Sequence, residues 1–429
     1  MPTNDAINPP TEKLPGSLKI ILGLLVFSVF INYVDRGNLS IAAPMIKDEL
    51  RISASQLGLL LSAFFWTYGT SQILAGWLVD RFDVNWVLAA GFFLWSAATG
   101  ITGILHGFAA LFVVRLVLGI GESVAFPAYG RIMAQHFPDR HRGFTNSMIT
   151  AGLASGPAFG MLAGGTLMAR FGWRSFFVVL GSVSLLWLIP WFRWMPRGPG
   201  LKRVEDTGAA PKIVDILLQR SAWGSFAGLF CVNYTLYFLI AWLPFYLVRE
   251  RHFSMDSMAK IGGLVYITQA VTSALCGRLS DRWLARGSAA TRVRKTFLVG
   301  GCIGVALFLC ASVFAGPTLC VACLVGVGLS TGVCSSNVWV VTQTLAGPRA
   351  SGRWTGLQCA VGNLVGVVAS YLTGYTVDRT GHFYLAFVIS GGFAGLGALC
   401  WAFFVGHIQP VVWGRKGLAV KAPVVEAIA

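Results

Sequence analysis

Long apolar segments recur along almost the whole chain, and they constrain its fold more than any other feature of the sequence. One helix needs roughly 20 mostly apolar residues to cross a bilayer. Short polar connections separate twelve such segments. Their approximate bounds are 18–44, 55–79, 84–105, 108–135, 142–169, 172–195, 221–248, 258–280, 294–314, 317–346, 353–377 and 382–406. The sequence therefore predicts an all-α membrane protein with twelve transmembrane helices.

The composition agrees with a membrane protein and argues against a soluble one. Of the 429 residues, 55% are hydrophobic and only 12% are charged, whereas soluble domains carry about 25% charged residues. The residues before the first apolar segment are polar, and no small-residue cleavage site follows it. We therefore expect that segment to be a retained helix rather than a cleaved signal peptide.

The basic residues predict the orientation of the chain. If the N-terminus is cytoplasmic, 23 of the 33 Lys and Arg residues fall on the cytoplasmic side and 8 on the opposite side. This asymmetry follows the positive-inside rule. We expect a multi-pass protein of the cell inner membrane with both termini in the cytoplasm. Because the net charge of +16 is explained by orientation, we expect no nucleic-acid partner.

A repeated motif divides the chain into two halves. The pattern G-x-x-x-D-R follows the second predicted span and recurs 201 residues later, after the eighth. Its residues are Gly76, Asp80 and Arg81 in the first copy and Gly277, Asp281 and Arg282 in the second. Such internal repeats are typical of secondary transporters, whose ligand site lies between the repeats. The predicted units are a six-helix bundle at 1–195, a cytoplasmic connecting loop at 196–220 and a second six-helix bundle at 221–429.

The repeated motif also predicts a gate. Its glycine permits two helices to approach closely, and its Asp and Arg can pair across the cytoplasmic mouth and cap helix ends. Such contacts can hold one conformation and break in another. The simpler interpretation is a charge cluster in a loop. Span five carries a glycine ladder, which permits close packing that is either static or sliding; its members are Gly152, Gly156, Gly160 and Gly164.

Four charged residues inside the spans give the strongest functional signal. Asp35 and Arg36 lie in span one, and Arg115 and Glu122 lie in span four. A charge in the middle of the bilayer costs at least about 2.5–3.5 kcal/mol, so these side chains must face a cavity or one another. Arg115 and Glu122 are two turns apart on one face, whereas Asp35 and Arg36 differ by about 100° and point in different directions.

These charges suggest how a proton and an anion could be coupled. An arginine binds a carboxylate through two parallel hydrogen bonds and keeps its own charge. A carboxylate in a low-dielectric site takes up a proton more readily when an arginine no longer stabilises its charge. We therefore expect Arg36 and Arg115 to hold substrate or exchange partners, while Asp35 and Glu122 carry protons. The alternative is a set of purely structural buried salt bridges.

Polar aromatic and amide residues within the spans are weaker candidates. Trp339 and Asn363 lie near the expected cavity and need hydrogen-bond partners. Either residue could equally form a contact between two helices. We expect no cofactor and no metal site, because no cluster of ligands with metal-binding spacing accompanies these residues.

Together these motifs resemble the major facilitator superfamily and, within it, the anion:cation symporters. The first-span motif Asn32-Tyr33-x-Asp35-Arg36-x-Asn38-Leu39-Ser40, the Arg115-x6-Glu122 pattern and the duplicated G-x-x-x-D-R carry the resemblance. It implies a fold of two rocking bundles and proton-coupled import of a small organic anion, such as a sugar acid or another carboxylate. It also implies substrate contacts by Tyr33, Arg36, Tyr68 and Arg115, and proton transfer by Asp35 and Glu122.

Two positions depart from the sugar-acid members of that family. Leu153 stands where they tend to have Gln, and Cys359 stands where they tend to have Asn. The loss of two amides that could bind hydroxyl groups favours a less polar acid, aromatic or short and aliphatic. The first gating motif also lacks the usual basic residues after Arg81.

Three other functions stay open at this point. The nearest is a proton- or anion-exchanging antiporter or exporter on the same fold. A membrane enzyme is more distant, because the Gly328-x-Ser330-x-Gly332 match lies in an apolar helix and not in a strand–turn–helix context. A channel is the third. We expect a monomer that is embedded in the lipid bilayer, transports a small carboxylate together with protons and is not an enzyme.

Overall fold

The chain folds into twelve consecutive helical segments in a computed structural model that describes residues 14–137, 142–195 and 211–413. The first half contains α1 (Gly16–Leu50), α2 (Ala54–Arg81), α3 (Val84–Thr102), α4 (Phe108–Ser123, continued by Ala125–His136), α5 (Arg142–Phe159, a π-helical turn Gly160–Gly164 and Gly165–Phe171) and α6 (Trp173–Leu185 and Leu188–Trp194). After a short helix, Ile213–Leu217, the second half contains α7 (Arg220–Arg249), α8 (Met255–Ala285), α9 (Ala290–Phe314), α10 (Pro317–Gly347), α11 (Arg353–Thr380) and α12 (Tyr384–Leu399, ending in a π-helical turn Cys400–Phe404). No strand occurs among these residues.

Each predicted span coincides with one of these segments. Nine of the described helices are long and apolar enough to cross a membrane, which confirms an all-α membrane fold. The segments α2, α5 and α8 fall short of that standard, so the count of twelve crossings stays a prediction. Residues 196–210, most of the predicted connecting loop, lie outside the described part of the chain, and the domain boundaries also stay predictions.

Short polar sequences begin several helices. Ser53 accepts a hydrogen bond from the backbone N–H of Gln56, whose side chain in turn accepts from the N–H of Ser53. This capping box satisfies donors that the first helical turn leaves free. Ser254 caps α8 in a similar way by accepting from Ser257 N–H at 3.2 Å. Between α10 and α11, Gly347 adopts φ 65°, which ends one helix before the next begins.

Small residues bring the two halves into contact. A Cβ atom added at Gly58 of α2 would lie 2.6 Å from the carbonyl oxygen of Ser370 in α11. At Gly262 of α8 an added Cβ would lie 2.6 Å from the side chain of Met161 in α5. The halves therefore meet along two seams, α2 with α11 and α5 with α8, and α1 packs against α7 between them.

The two ends of the bundle differ in how closely the halves approach. We call the end at which α1 and α7 begin the near face, and the end at which they finish the far face. At the far face, an ion pair joins Asp48 at the end of α1 to Arg249 at the end of α7. Arg249 also donates to the carbonyl oxygen of Pro44 at 3.2 Å. At the near face, a Cβ atom added at Gly76 or Gly277 would meet no atom within 4 Å. The halves are therefore joined at these far-face positions, whereas the space beside the two near-face glycines is open.

The packing of α3 on α6 gives a direct test of the fold. A Cβ atom at Gly181 would lie 2.3 Å from the backbone nitrogen of Gly100. Since backbone cannot move aside as a side chain can, we expect Gly181→Ala to destabilise the protein by about 1–3 kcal/mol. Thermal unfolding of the purified protein in detergent measures the effect.

The matched control is Gly392→Ala in α12, where an added Cβ would meet no atom within 4 Å. Alanine favours a helix over glycine by about 0.8–1.0 kcal/mol, so this variant should unfold at or above the native temperature. Equal unfolding temperatures for the two variants would contradict the close packing of α3 on α6.

Candidate functional site

A buried ion pair between two helices of the first half forms the centre of the site. Arg36 of α1 donates from Nε to Oε2 of Glu122 in α4 at 3.1 Å. The Glu122 side chain is fully buried and the Arg36 side chain is 7% exposed. The sequence placed each carboxylate beside an arginine of its own helix, whereas the structure pairs Glu122 with the arginine of a neighbouring helix.

Aromatic rings surround the guanidinium group of Arg36. Its central carbon lies 4.6 Å from the ring centroid of Tyr33 and 4.4 Å from that of Tyr68. Phe64 adds a third ring at 5.4 Å and also stacks on Tyr68. Because aromatic faces attract cations most strongly where water is excluded, these rings hold the arginine in place without neutralising its charge.

Several polar atoms at this centre have no hydrogen-bond partner among the described residues. They are Oε1 of Glu122, Nη2 of Arg36, Oδ2 of Asp35 and Nε of Arg115. Buried polar atoms are nearly always hydrogen-bonded in native proteins, so each exception requires an explanation. The unpaired atoms include both donors and acceptors, which suits a site that binds an anion and a proton.

Asp35 and Arg36 point in different directions, as their spacing predicts. Arg36 lines the cavity described below, whereas Asp35 is 1% exposed and is not one of the lining residues. Asn38, one turn further along α1, donates to Oδ1 of Asp35 at 3.4 Å. Asp35 therefore has no direct access to the cavity in this conformation, and a proton would reach it through neighbouring groups.

A small cavity lies between the two halves beside both arginines. It measures about 40 Å³, the space of roughly three water molecules. From the first half it is lined by Tyr33, Arg36, Ser40, Leu61, Phe64, Phe65 and Arg115. The second half contributes only residues of α7, namely Leu236, Tyr237, Ile240 and Ala241. One wall is therefore cationic and the other is almost wholly apolar.

The glycine ladder of α5 positions this site. An added Cβ at Gly156 would lie 2.6 Å from Cβ of Tyr33, and one at Gly152 would lie 2.7 Å from Val29. The ladder thus permits α5 to pack directly on α1, along the stretch that carries Tyr33. This contact confirms the close packing that the spacing of the glycines predicts.

The two weaker candidates, Asn363 and Trp339, lie in different surroundings. Asn363 of α11 accepts a hydrogen bond from the Tyr237 hydroxyl at 2.9 Å and donates to Gln72 of α2 at 3.4 Å. It therefore bridges the halves next to the cavity. Trp339 is 43% exposed and does not line the cavity. Its role as a substrate contact stays a prediction.

The predicted gating residues lie at the near face. Asp281 accepts from Arg294 of α9 at 2.9 Å, within its own half. Arg294 also donates to Asn337 at 2.6 Å, so a buried polar cluster holds the end of α8. Arg81 and Arg282 are exposed at the ends of their helices, and the side chain of Asp80 lies outside the described part of the structure.

Sequence reasoning missed the apolar wall of α7 and the bridging residue Gln72. Leu236, Ile240 and Ala241 look like ordinary spanning residues, and nothing in their local pattern distinguishes cavity-lining from lipid-facing positions. The Ser-x-Gly match at Ser330 lies within helix α10, which does not provide the geometry of a nucleophile elbow.

The fold and the site together define a membrane transporter with a central site between two helical halves. Residues 25–370 match the family model of the Major Facilitator Superfamily, and the chain belongs to that family. Its members transport solutes and are not enzymes.

Similar proteins extend over almost the whole chain. The probable sulfoacetate transporter of Cupriavidus necator is 32% identical over 89% of this chain and 92% of its own length. The hexuronate transporter of Bacillus subtilis is 31% identical over 96% of this chain and 99% of its own length. The crystal structure of a bacterial homolog to the human lysosomal transporter Spinster matches with a TM-score of 0.78 at 17% identity, over 91% of this chain and 97% of that one.

The buried ion pair generates a stability prediction. Glu122→Ala leaves Arg36 buried without a counter-charge, so we expect it to destabilise the protein by about 3–5 kcal/mol. Replacing both residues with leucine should recover most of that loss, because well-packed apolar residues often replace a buried ion pair without loss. Thermal unfolding in detergent measures both variants.

The control for this comparison is the half-exposed pair of Glu49 and Arg174 at the far face. Surface ion pairs contribute about 0–1 kcal/mol, so Glu49→Ala should lower the unfolding temperature only slightly. A loss for Glu122→Ala no larger than that for Glu49→Ala would show that Arg36 does not depend on Glu122.

Proposed function

We propose that this protein is a symporter that imports a small organic anion together with protons by alternating access. The observation that carries the proposal is the buried contact between Arg36 and Glu122, at the edge of a cavity that the two halves share. Arg36 has a donor left for a ligand and Glu122 has an acceptor left for a proton.

The ion pair couples the two solutes through competition. An anionic substrate that reaches the cavity offers Arg36 a second carboxylate or sulfonate. When the substrate displaces Glu122 from Arg36, Glu122 loses its counter-charge in a low-dielectric site, and the protonated form of Glu122 becomes favoured. Protonation in turn removes the competitor of the substrate. Substrate and proton therefore stabilise each other's binding, which is the reciprocity that coupling requires.

The same argument applies to the net charge of the whole site, which also includes Asp35 and Arg115. Arg36 and Arg115 carry two positive charges, and Asp35 and Glu122 can carry two negative charges, so the unliganded site is neutral. An anion that enters without a proton would leave an uncompensated buried charge. One proton accompanies a monoanion, and two accompany a dianion. Arg115 forms no ion pair with a carboxylate among the described residues, and it lines the same cavity, so it is the second anion-binding group.

The cavity favours a short anion with few hydroxyl groups. Its α7 wall offers Leu236, Ile240 and Ala241, and the Tyr237 hydroxyl already donates to Asn363. Leu153 and Cys359 also stand where an amide would serve a hydroxylated sugar acid. Two arginines beside an apolar wall suit a two- to four-carbon acid with one or two anionic groups. A relative named as a probable sulfoacetate transporter is consistent with this class.

The direction of transport follows from the orientation that the basic residues predict. The near face is then cytoplasmic, and both termini lie on that side of the inner membrane. An inward proton gradient would drive uptake. The walls of the cavity come from α1, α2, α4 and α7 of one chain, so we propose that the monomer is the transport unit.

Uptake into proteoliposomes tests this proposal. The assay uses short radiolabelled sulfonates and carboxylates beside galactonate and glucuronate, with and without an inward proton gradient. We expect the gradient to stimulate uptake of a short anion. In Arg115→Ala, uptake should fall roughly 10- to 100-fold, since a hydrogen bond to a charged group contributes about 1.5–3 kcal/mol and 1.4 kcal/mol corresponds to tenfold.

Two carboxylate variants separate coupling from binding. Glu122→Gln, which keeps an acceptor for Arg36 but no counter-charge, and Asp35→Asn should both lose stimulation by the gradient when uptake is measured per reconstituted protein. Glu49→Gln, at a far-face carboxylate, should behave as native. Gradient-driven efflux would contradict import and favour the exporter. If the gradient stimulates uptake of none of the acids in the native protein, symport is refuted.

A further inference from the structure

A third copy of the G-x-x-x-D-R motif lies at the end of α11, at the far face. Its residues are Gly374, Asp378 and Arg379. The first two copies end α2 and α8 at the near face, so the third is at the opposite end of the molecule. Neither the ion pair of the central site nor the proposed coupling gives it a role.

The aspartate of this copy joins the two halves directly. Oδ1 of Asp378 accepts from the backbone N–H of Ala54 at 2.8 Å, and Oδ2 accepts from that of Ser55 at 2.7 Å. These are the first two residues of α2, whose free N–H groups and helix dipole favour a negative charge. A carboxylate of the second half therefore caps a helix of the first half.

The glycine of the motif makes this contact possible. A Cβ atom added at Gly374 would lie 2.3 Å from the carbonyl oxygen of Ala54, so no larger residue fits without separating α11 from α2. One turn later, Asp378 reaches the same helix start. The motif thus combines close approach through Gly374 with a charged cap through Asp378.

In the other two copies, the described side chains make no such contact across the halves. Added Cβ atoms at Gly76 and Gly277 would meet no atom within 4 Å, and Asp281 is bound to Arg294 of its own half. At the far face, the motif therefore contacts the opposite half. At the near face, its two glycines contact no described residue of the opposite half.

The matching position in the first half lacks the acid. Gly165 of α5 lies 209 residues before Gly374 and packs on the start of α8, where its added Cβ would lie 2.7 Å from Ala259. The residue that corresponds to Asp378 is Ala169. Of the two far-face seams, only the one between α2 and α11 carries a carboxylate cap from this motif.

We infer that Asp378 is a gating residue that holds the far face closed and must leave the start of α2 before the site can open to that side. Its contact is reversible because Asp378 is exposed. When the helices separate, water can hydrate both the carboxylate and the two N–H groups. Arg249 and Asp48 support the same closure on the α1–α7 side.

Deuterium exchange of the native protein and of Asp378→Asn, followed by mass spectrometry, tests this inference. The amide that replaces the carboxylate is neutral, so the favourable interaction of a negative charge with the start of α2 is lost. We expect exchange at 52–58 and 372–380 to become faster, on the order of tenfold, and exchange at 76–82 and 277–285 to become slower. Opposite changes at the two faces indicate a shift between conformations, which general destabilisation does not produce.

Three variants complete the design. Asp378→Glu keeps the charge and should restore part of the native pattern. Ala54→Pro removes one donor at a helix position that favours proline, and should shift exchange in the same direction as Asp378→Asn. Asp256→Asn is the matched control, because Asp256 is a far-face carboxylate that pairs with Lys260 inside its own helix, and it should leave exchange unchanged.

Uptake kinetics give a second readout. If the far face opens more easily, more molecules present the site to that side, so KM for substrate added there should fall while the maximal rate also falls. Unchanged exchange in both Asp378→Asn and Ala54→Pro, or faster exchange at both faces, would overturn the inference. The exchange measurement needs no substrate and stands even if the proposed proton coupling fails.

Discussion

A single ion pair between α1 and α4 organises the centre of this protein. Arg36 cannot lose its charge in the interior of a membrane, and Glu122 is the carboxylate bound to it. The rings of Tyr33, Tyr68 and Phe64 fix the guanidinium group, and the glycines of α5 bring α1 close enough to complete the wall of the cavity. The remaining charges, Asp35 and Arg115, balance each other, so the site as a whole is neutral. Because a buried charge without a partner is costly, any ligand that takes one member of the pair must change the state of the other.

The two halves contribute to the site in different ways. All four buried charges of the central site belong to the first half, and the second half presents an apolar surface from α7 with one tyrosine. We therefore regard the first half as the part that binds the anion and the proton, and the second half as the wall that moves against it. The Tyr237–Asn363–Gln72 hydrogen bonds cross the boundary beside the cavity, so a substrate that displaces the α7 wall would disturb a direct contact between the halves.

Much of the fold followed from the sequence, because a membrane span is a long and local signal. The positions of the helices, the close packing of the α5 glycines on α1 and the separate directions of Asp35 and Arg36 were all predictable from spacing. The pairing of Glu122 with Arg36 was not, since it depends on how α1 crosses α4, and no local pattern records that crossing. The apolar wall of α7 was hidden for a similar reason. Asp378 was recognisable in principle as part of a third motif copy, but its partner is a helix start 323 residues away.

We propose that an anion and Glu122 compete for Arg36. The most direct test is to add a transported anion to the purified protein in weakly buffered detergent solution and to record the pH, with Glu122→Gln as the comparison. If the anion displaces Glu122, the carboxylate takes up a proton and the pH of the solution rises, and this rise should be much smaller in Glu122→Gln. A fall in pH on binding would mean that substrate and proton exclude each other, as in an exchanger, and would contradict the account.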